Sequence, residues 1–369
     1  MDATDRTIDA LELARRLVRI DTRGGDERAA ADLVAGVLDS AGFEVRVDEP
    51  EAGRANVVAR RGPAVPRVPV TLTGHLDTVP ADPSGWSFDP LGGEVRDGRL
   101  LGRGSSDMKA GVACQLAAAV DAAAAAPDRP LQLVFTFGEE TGCDGAARLD
   151  PASLVPADLL VVAEPTANRT VLGHKGTLWL RATARGVSAH GSRPELGRNA
   201  LAALAAAATR VHGHRGWPVS PTHGPVTVNV GTFRAGVQPN LVPDHAEMGL
   251  DVRTIPGFGS DEAVAEIAEL CGPEVEIERL VDLPGVATDP ASPGVARVLE
   301  LLAPGASARE PEYATYFTDA SVLTAMLGDP AVVIYGPGDP EQAHVTDESC
   351  SVRRIDEAAA AFRRLLGAH

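Results

Sequence analysis

Two acidic residues, Glu139 and Glu140, stand side by side in the stretch FTFGEETG, at the end of an apolar run. Burying a charge is costly unless it is paired or bound to a metal, so such a strand end needs a partner. Other apolar runs end in the same way. VPVTLT leads into GHLDTVP with His75 and Asp77, DLLVVA into Glu164, and AVVIY into GPGDPEQAH with His344. A fifth piece, GRGSSDMKAG, places Asp107 just before a helical run. Two histidines and several carboxylates without a thiolate suit a hydrolytic zinc site, with cobalt or manganese as alternatives. Five ligands exceed what one zinc takes from a catalytic protein site, and two ions sharing a bridging carboxylate account for the surplus.

Each residue alone has a plainer reading. Asp107 could cap the helix that follows it, since a helix N-terminus favours a carboxylate. His75 could be a satisfied strand-end histidine, Glu164 before Pro165 a turn carboxylate, and His344 a solvated loop residue. Asp77, two positions after His75 in extended backbone, faces the same side and could orient the imidazole. Glycines at 102, 104 and 111 around Asp107 suggest a close backbone approach. What favours a site is the coincidence: open α/β sheets bind ligands outside the carboxyl ends of their strands, and four strands here deliver to that edge.

The elements that must position these residues can be read from periodicity. Helical patterns over 7–20 and 28–41 precede the strand-like FEVRV. The four runs rich in Val, Leu and Ile lack alternation, as strands covered on both faces do. Residues 108–126, dense in alanine and closed by Pro127, read as a crossover helix. The expected fold is α/β, a mixed and largely parallel sheet covered by helices. The middle third differs: TLWLRATAR, GRNALAALAAAATRVH, VTVNVGTF, HAEMGLDVRT, SDEAVAEIAELC and EVEIERL give β-α-β-β-α-β, the ferredoxin-like order. This places an inserted α+β module at 176–282 and a discontinuous catalytic domain at 1–175 and 283–369.

Composition narrows the class of function. A length of 369 residues exceeds the usual single core, and a formal net charge of -17 argues against a nucleic-acid partner. Small molecules are the expected partners. MDATDRTIDALELARRL lacks the apolar run of a signal peptide, and no apolar stretch has membrane-spanning length, so a cytoplasmic location without membrane association is expected. Cys114, Cys143, Cys271 and Cys350 are widely spaced, which indicates neither a disulfide framework nor a thiolate zinc site.

GHLDTVP, GRGSSDMKAG, GEETG, AEPT and AHVTDE, in this order, closely resemble the dinuclear zinc deacylases and carboxypeptidases: acetylornithine deacetylase, succinyl-diaminopimelate desuccinylase, aminoacylase and glutamate carboxypeptidase. The resemblance covers nearly the whole chain. It implies two zinc ions, His75 and Glu164 on one, Glu140 and His344 on the other, with Asp107 bridging. It also implies Glu139 as general base, Asp77 as the group orienting His75, and a cis peptide between Asp107 and Met108. Within the middle module it implies a lid and a homodimer, with His190 of GVSAHGSRPELGRNA reaching the other subunit's site. Asn240 and Arg253 of VQPNLVPDHAEMGLDVR would contact substrate, and Thr318 keeps part of a substrate-binding segment. YATYFTDASVL departs from the deacylase pattern at Tyr316 and Phe317, which weakens transfer of an exact substrate.

The reaction that follows is attack of a metal-activated bridging water on an amide carbonyl. The expected substrate is an N-acyl amino acid, in the manner of acetylornithine deacetylase or succinyl-diaminopimelate desuccinylase. The alternative is a glutamate-carboxypeptidase-like enzyme cleaving a short peptide at its C-terminal residue. A serine hydrolase is disfavoured because GVSAH lacks the final glycine of the nucleophile elbow. GRGSSD likewise fails the dinucleotide-binding pattern. A non-catalytic metal-binding scaffold would have no need of Glu139.

Overall fold

Residues 8–368 are described by the computed structural model, and they divide into two compact units. The first comprises the described residues up to Gly173, Thr288–Glu312, and those from Thr318 onward. Its helices are α1 (Ala10–Val18), α2 (Arg28–Ser40), α3 (Lys109–Ala125), α4 (Val295–Leu302), α5 (Ala320–Met326) and α6 (Val352–Ala368). Thr7, where the first helical pattern was expected to start, lies outside the described residues.

The sheet of this unit contains β1 (Glu44–Glu51), β2 (Arg54–Arg61), β3 (Val68–His75), β4 (Leu131–Thr136), β5 (Ala157–Val162) and β6 (Ala331–Ile334), in the spatial order β1-β2-β4-β3-β5-β6. β1, β2 and β4 pair antiparallel; β4, β3, β5 and β6 pair parallel. All six residues of β4 are buried, which requires cover on both faces of the sheet. α3 packs against α1, α6 and β3, while α2 lies on β1 and β2. Register sets the functional edge: His75 pairs with Thr136, Thr73 with Val162, and Val162 with Ile334. The turns after four adjacent strands therefore open at one level.

The apolar runs and the crossover helix fall where periodicity puts them. The strand RANVVARR was not read from sequence, because arginines at both ends hide a short buried centre. Glycine explains how closely the layers meet. A methyl group at Gly111, in the first turn of α3, would lie 2.1 Å from the carbonyl oxygen of Ala163, the residue before Glu164. The helix can only seat there without a side chain.

The second unit comprises His174–Ala287 and Tyr313–Phe317. Strands Gly176–Arg185, Thr227–Ala235, His245–Thr254 and Val275–Leu283 form an antiparallel sheet with helices Ala200–Gly213 and Ser260–Cys271. The sheet order, second-third-first-fourth, is that of a ferredoxin-like module. Its core joins alternate residues of the strands, such as Leu178, Leu180, Met248 and Leu250, to Leu204, Val211 and Ile267 of the helices. Both alanine-rich runs are helical.

The chain leaves the first unit after Gly173 and re-enters it at Thr288, whose N–H donates to the Leu172 carbonyl at 2.7 Å. No helix among the described residues is long and apolar enough to cross a membrane. All four cysteines are free and buried.

Candidate metal centre

His75 ends β3, fully enclosed. Its Nδ1 donates to the backbone carbonyl of Asp77 at 3.1 Å, which turns Nε2 in the other direction. There Nε2 meets Asp107 Oδ1 at 3.2 Å and Glu164 Oε1 at 3.9 Å. Asp107 turns its second oxygen the other way: Oδ2 lies 3.5 Å from Nε2 of His344, which is 2.8 Å from Glu140 Oε2. Two groups result, His75–Asp107–Glu164 and Asp107–Glu140–His344, each with donor atoms within 4.8 Å of one another and with Asp107 common to both.

Asp107 does not cap α3. The N-cap position belongs to Met108, and no side chain caps this helix. The Asp107–Met108 peptide bond is cis. Gly104, three residues earlier, has φ +82, and a side chain there would meet Thr78 at 2.7 Å.

The acid pair sits on a loop closed at both ends. Asn56 of β2, fully buried, accepts the N–H of Phe137 at 3.2 Å and donates to the carbonyl of Gly145 at 2.9 Å. At the tip, Asp77 accepts the N–H of Glu139 and of Glu140, each at 3.1 Å. The same carboxylate also serves His75, whose Nδ1 stands 3.4 Å from Asp77 Oδ1. Neither Asn56 nor this backbone clamp was anticipated. The available signal was a single amide inside the apolar run ANVVA.

Electrostatics mark the cluster as cation-seeking. Burial opposes charge on His75, but Asp77, Asp107 and Glu164 outweigh it and hold its pKa well above the usual range. Hydrogen bonds with Asp107 and Glu140 push His344 up to about 10. Burial, then the charge of Glu164, raises Glu139 well above an ordinary glutamate. Glu164 is raised by burial and by Asp107. Asp107 is lowered, its bonds to His344 and His75 overcoming burial. Glu140 Oε1 is buried without a hydrogen-bond partner. Carboxylates outnumber imidazoles here, and an acceptor-only oxygen without a donor adds to the imbalance. The donor set fits divalent cations, and its lack of sulfur fits zinc, cobalt or manganese alike.

The remaining expected residues divide. Thr318 is fully buried; its hydroxyl accepts the N–H of Ala320 at 3.1 Å and so fixes the start of α5. Beside it Asp319, also buried, accepts the Thr136 hydroxyl, and burial raises its pKa to about 6. His190, Asn240 and Arg253 belong to the second unit. The first two are neighbours, since the N–H of Gly191 donates to the Asn240 carbonyl at 2.8 Å. His190 Nδ1 accepts the Ser192 N–H at 3.1 Å, which leaves Nε2 as the protonated nitrogen of the neutral ring. Arg253 directs its fork to Asp251, at 2.9 and 3.0 Å, and its remaining Nη1 to Thr177.

The model of the peptidase family M20/M25/M40 matches residues 71–368. The chain belongs to that family. M20/M25/M40 peptidases are metal-dependent hydrolases, in keeping with the cluster. A probable carboxypeptidase from Aspergillus clavatus is 34% identical, over 97% of this chain and 82% of the relative. Two solved structures share the fold of this M20/M25/M40 chain. A tripeptidase from Staphylococcus aureus superposes with a TM-score of 0.78 at 22% identity, covering 98% of this chain and 99% of that one. An M20 family metallo-carboxypeptidase from Sulfolobus solfataricus gives 0.78 at 18% identity, covering 97% and 98%.

Proposed function

We propose that this protein is a dinuclear metal hydrolase of linear amides that acts as a carboxypeptidase, releasing a C-terminal residue from a short peptide. The observation that carries the hydrolase reading is the division of Asp107, one oxygen to each ligand group, with Glu139 buried beside them and in neither group. The carboxypeptidase reading is supported by the name of the relative from A. clavatus, which is similar over 97% of the chain.

His75 and Glu164 would hold one ion, Glu140 and His344 the other, and Asp107 both. Bound there, two zinc ions would supply Lewis acidity toward the carbonyl and lower the pKa of a shared water. Glu139 is the base that takes the water proton and returns it to the leaving amine, and its enclosed, acidic surroundings raise its proton affinity accordingly. His190, with its proton on Nε2, is suited to donate to the developing oxyanion. Asn240 and Arg253 are proposed to bind the substrate, Arg253 by exchanging Asp251 for a substrate carboxylate. Thr318 acts at one remove, by fixing the helix that follows Asp319. We assign the second unit, 176–282 in the sequence reading, as a lid through which a homodimer forms.

A panel of dipeptides, tripeptides and N-acetyl, N-succinyl and N-formyl amino acids, assayed with zinc, cobalt and manganese, tests the reading. Release of free C-terminal amino acids from peptides is the expected result. Faster cleavage of N-acyl amino acids would instead establish the deacylase expected from sequence. No turnover on either set with any metal would overturn both.

A further inference from the structure

Asp107 and His344 come from distant parts of the chain, and a carboxylate beneath them joins the two segments. Glu348, four residues after His344, is fully buried. Its Oε1 accepts the N–H of Ser106 at 2.7 Å and of Asp107 at 3.0 Å. Its Oε2 accepts the N–H of Gly104 at 2.9 Å and Nη1 of Arg103 at 2.7 Å. The adjoining backbone continues the seam. Gly102 N–H donates to the Glu348 carbonyl at 3.0 Å, and the Ser106 hydroxyl donates to the Ser349 carbonyl at 3.1 Å. Ser106 Oγ in turn accepts the Asp339 N–H at 3.1 Å.

A buried carboxylate is retained only where its acceptors are matched, and all four groups facing Glu348 are donors. Three are backbone amides of one loop, those of Gly104, Ser106 and Asp107 itself, and the fourth is the guanidinium of Arg103. This is the arrangement by which Asp77 clamps Glu139 and Glu140, used a second time. The amide of Asp107 fixes where its side chain begins, while Glu348 fixes the end of the 344–348 segment. The separation of 3.5 Å between Asp107 Oδ2 and His344 Nε2 depends on both.

We propose that Glu348 is a positioning residue for metal binding, which holds the backbone of Asp107 in register with His344 so that both reach one ion. The inference rests on the metal-site reading above. It contrasts with a purely local role, in which Glu348 would staple the loop and affect stability alone.

The test uses the full chain, stripped with a chelator and titrated with Co(II) and Zn(II) against a chromophoric competitor. Ion stoichiometry, dissociation constants and the visible Co(II) spectrum are recorded at a temperature well below the melting midpoint of the metal-free protein. Glu348→Gln, close in volume, replaces one acceptor oxygen with a donor. The expected result is an affinity about 10- to 100-fold weaker for at least one ion, with an altered Co(II) spectrum. Two ions bound by E348Q at wild-type affinity would overturn the proposal. Failure of the wild type to bind ions would overturn the metal reading instead. Should E348Q not fold, Glu348→Asp keeps the charge but shortens the reach; a weakened ion site is expected there too, and wild-type affinity overturns the proposal.

Discussion

Asp77 holds Glu140 by its backbone: Oδ2 of the aspartate accepts the Glu140 N–H at 3.1 Å. Oδ1 does the same for Glu139, and His75 Nδ1 lies 3.4 Å away, so one carboxylate ties His75 on β3 to the acid pair after β4. Asp77→Asn would turn an amide group toward an N–H donor. We expect kcat to fall by at least about tenfold and bound metal to exchange faster during dialysis. Unchanged kcat and unchanged metal retention would remove Asp77 from the positioning machinery.

Replacing the two neighbouring glutamates separates their roles. Glu139→Ala should retain bound metal and lose turnover, whereas Glu140→Ala should lose about half the metal. Metal analysis of both purified variants decides the matter, and the opposite pattern would exchange the assignments of base and ligand.

Asn56 makes two buried hydrogen bonds across the mouth of the loop bearing Glu139 and Glu140. Asn56→Ala leaves the Phe137 N–H and the Gly145 carbonyl without those partners. The expected cost is about 2–3 kcal/mol in urea unfolding, accompanied by a drop in kcat larger than any change in KM. A stability loss with kcat intact would restrict Asn56 to a structural part.

His174 gives the second unit a defined acid sensitivity. The residue is fully buried; Nδ1 donates to the Lys175 carbonyl at 2.8 Å, and Nε2 has no hydrogen-bond partner. Burial lowers its pKa to about 4. Above the ordinary value near 6.5 the ring is neutral in both folded and unfolded chains, so it contributes no pH dependence. Below that value the unfolded chain takes up the proton first, and stability falls until the folded form also protonates near 4. The full effect is about 3 kcal/mol. Unfolding of wild type and His174→Gln at pH 7.5 and 4.5 should show the smaller acid loss in the variant. Equal losses would exclude His174 as the source.

A homodimer sharing its sites predicts complementation. Inactive Glu139→Ala subunits mixed with inactive His190→Ala subunits should regain part of the activity. No recovery after verified subunit exchange would confine His190 to its own chain.

Legibility in the sequence tracked sequence distance. Strands β3 to β6 and the ferredoxin-like module show themselves through local periodicity, and the runs that precede His75, Glu139 and Glu164 mark one sheet edge. Asp107 remained ambiguous because a helix cap and a metal ligand both call for a carboxylate before a helix. The structure removes the first reading, since Met108 stands at the N-cap and no side chain caps the helix. Asn56 and Glu348 could not be read at all. Their partners lie 81 to 89 and 241 to 245 positions away, and a buried polar side chain declares its partner only once the chain has folded. Arg253 shows a different limit: the arginine stands out in the sequence, but only the fold shows that Asp251, two residues earlier, occupies its fork.

The hydrogen bond between Thr288 and Leu172 closes the first unit around an interruption of more than a hundred residues. On the ribosome that interruption becomes a delay. His75, Asp107, Glu139, Glu140 and Glu164 emerge first, the ferredoxin-like strands and helices follow, and His344 and Glu348 are made only afterwards. The group His75–Asp107–Glu164 is therefore complete in the nascent chain before the interruption, whereas Asp107 and Glu140 must wait for His344, so the two groups come together at different times in synthesis.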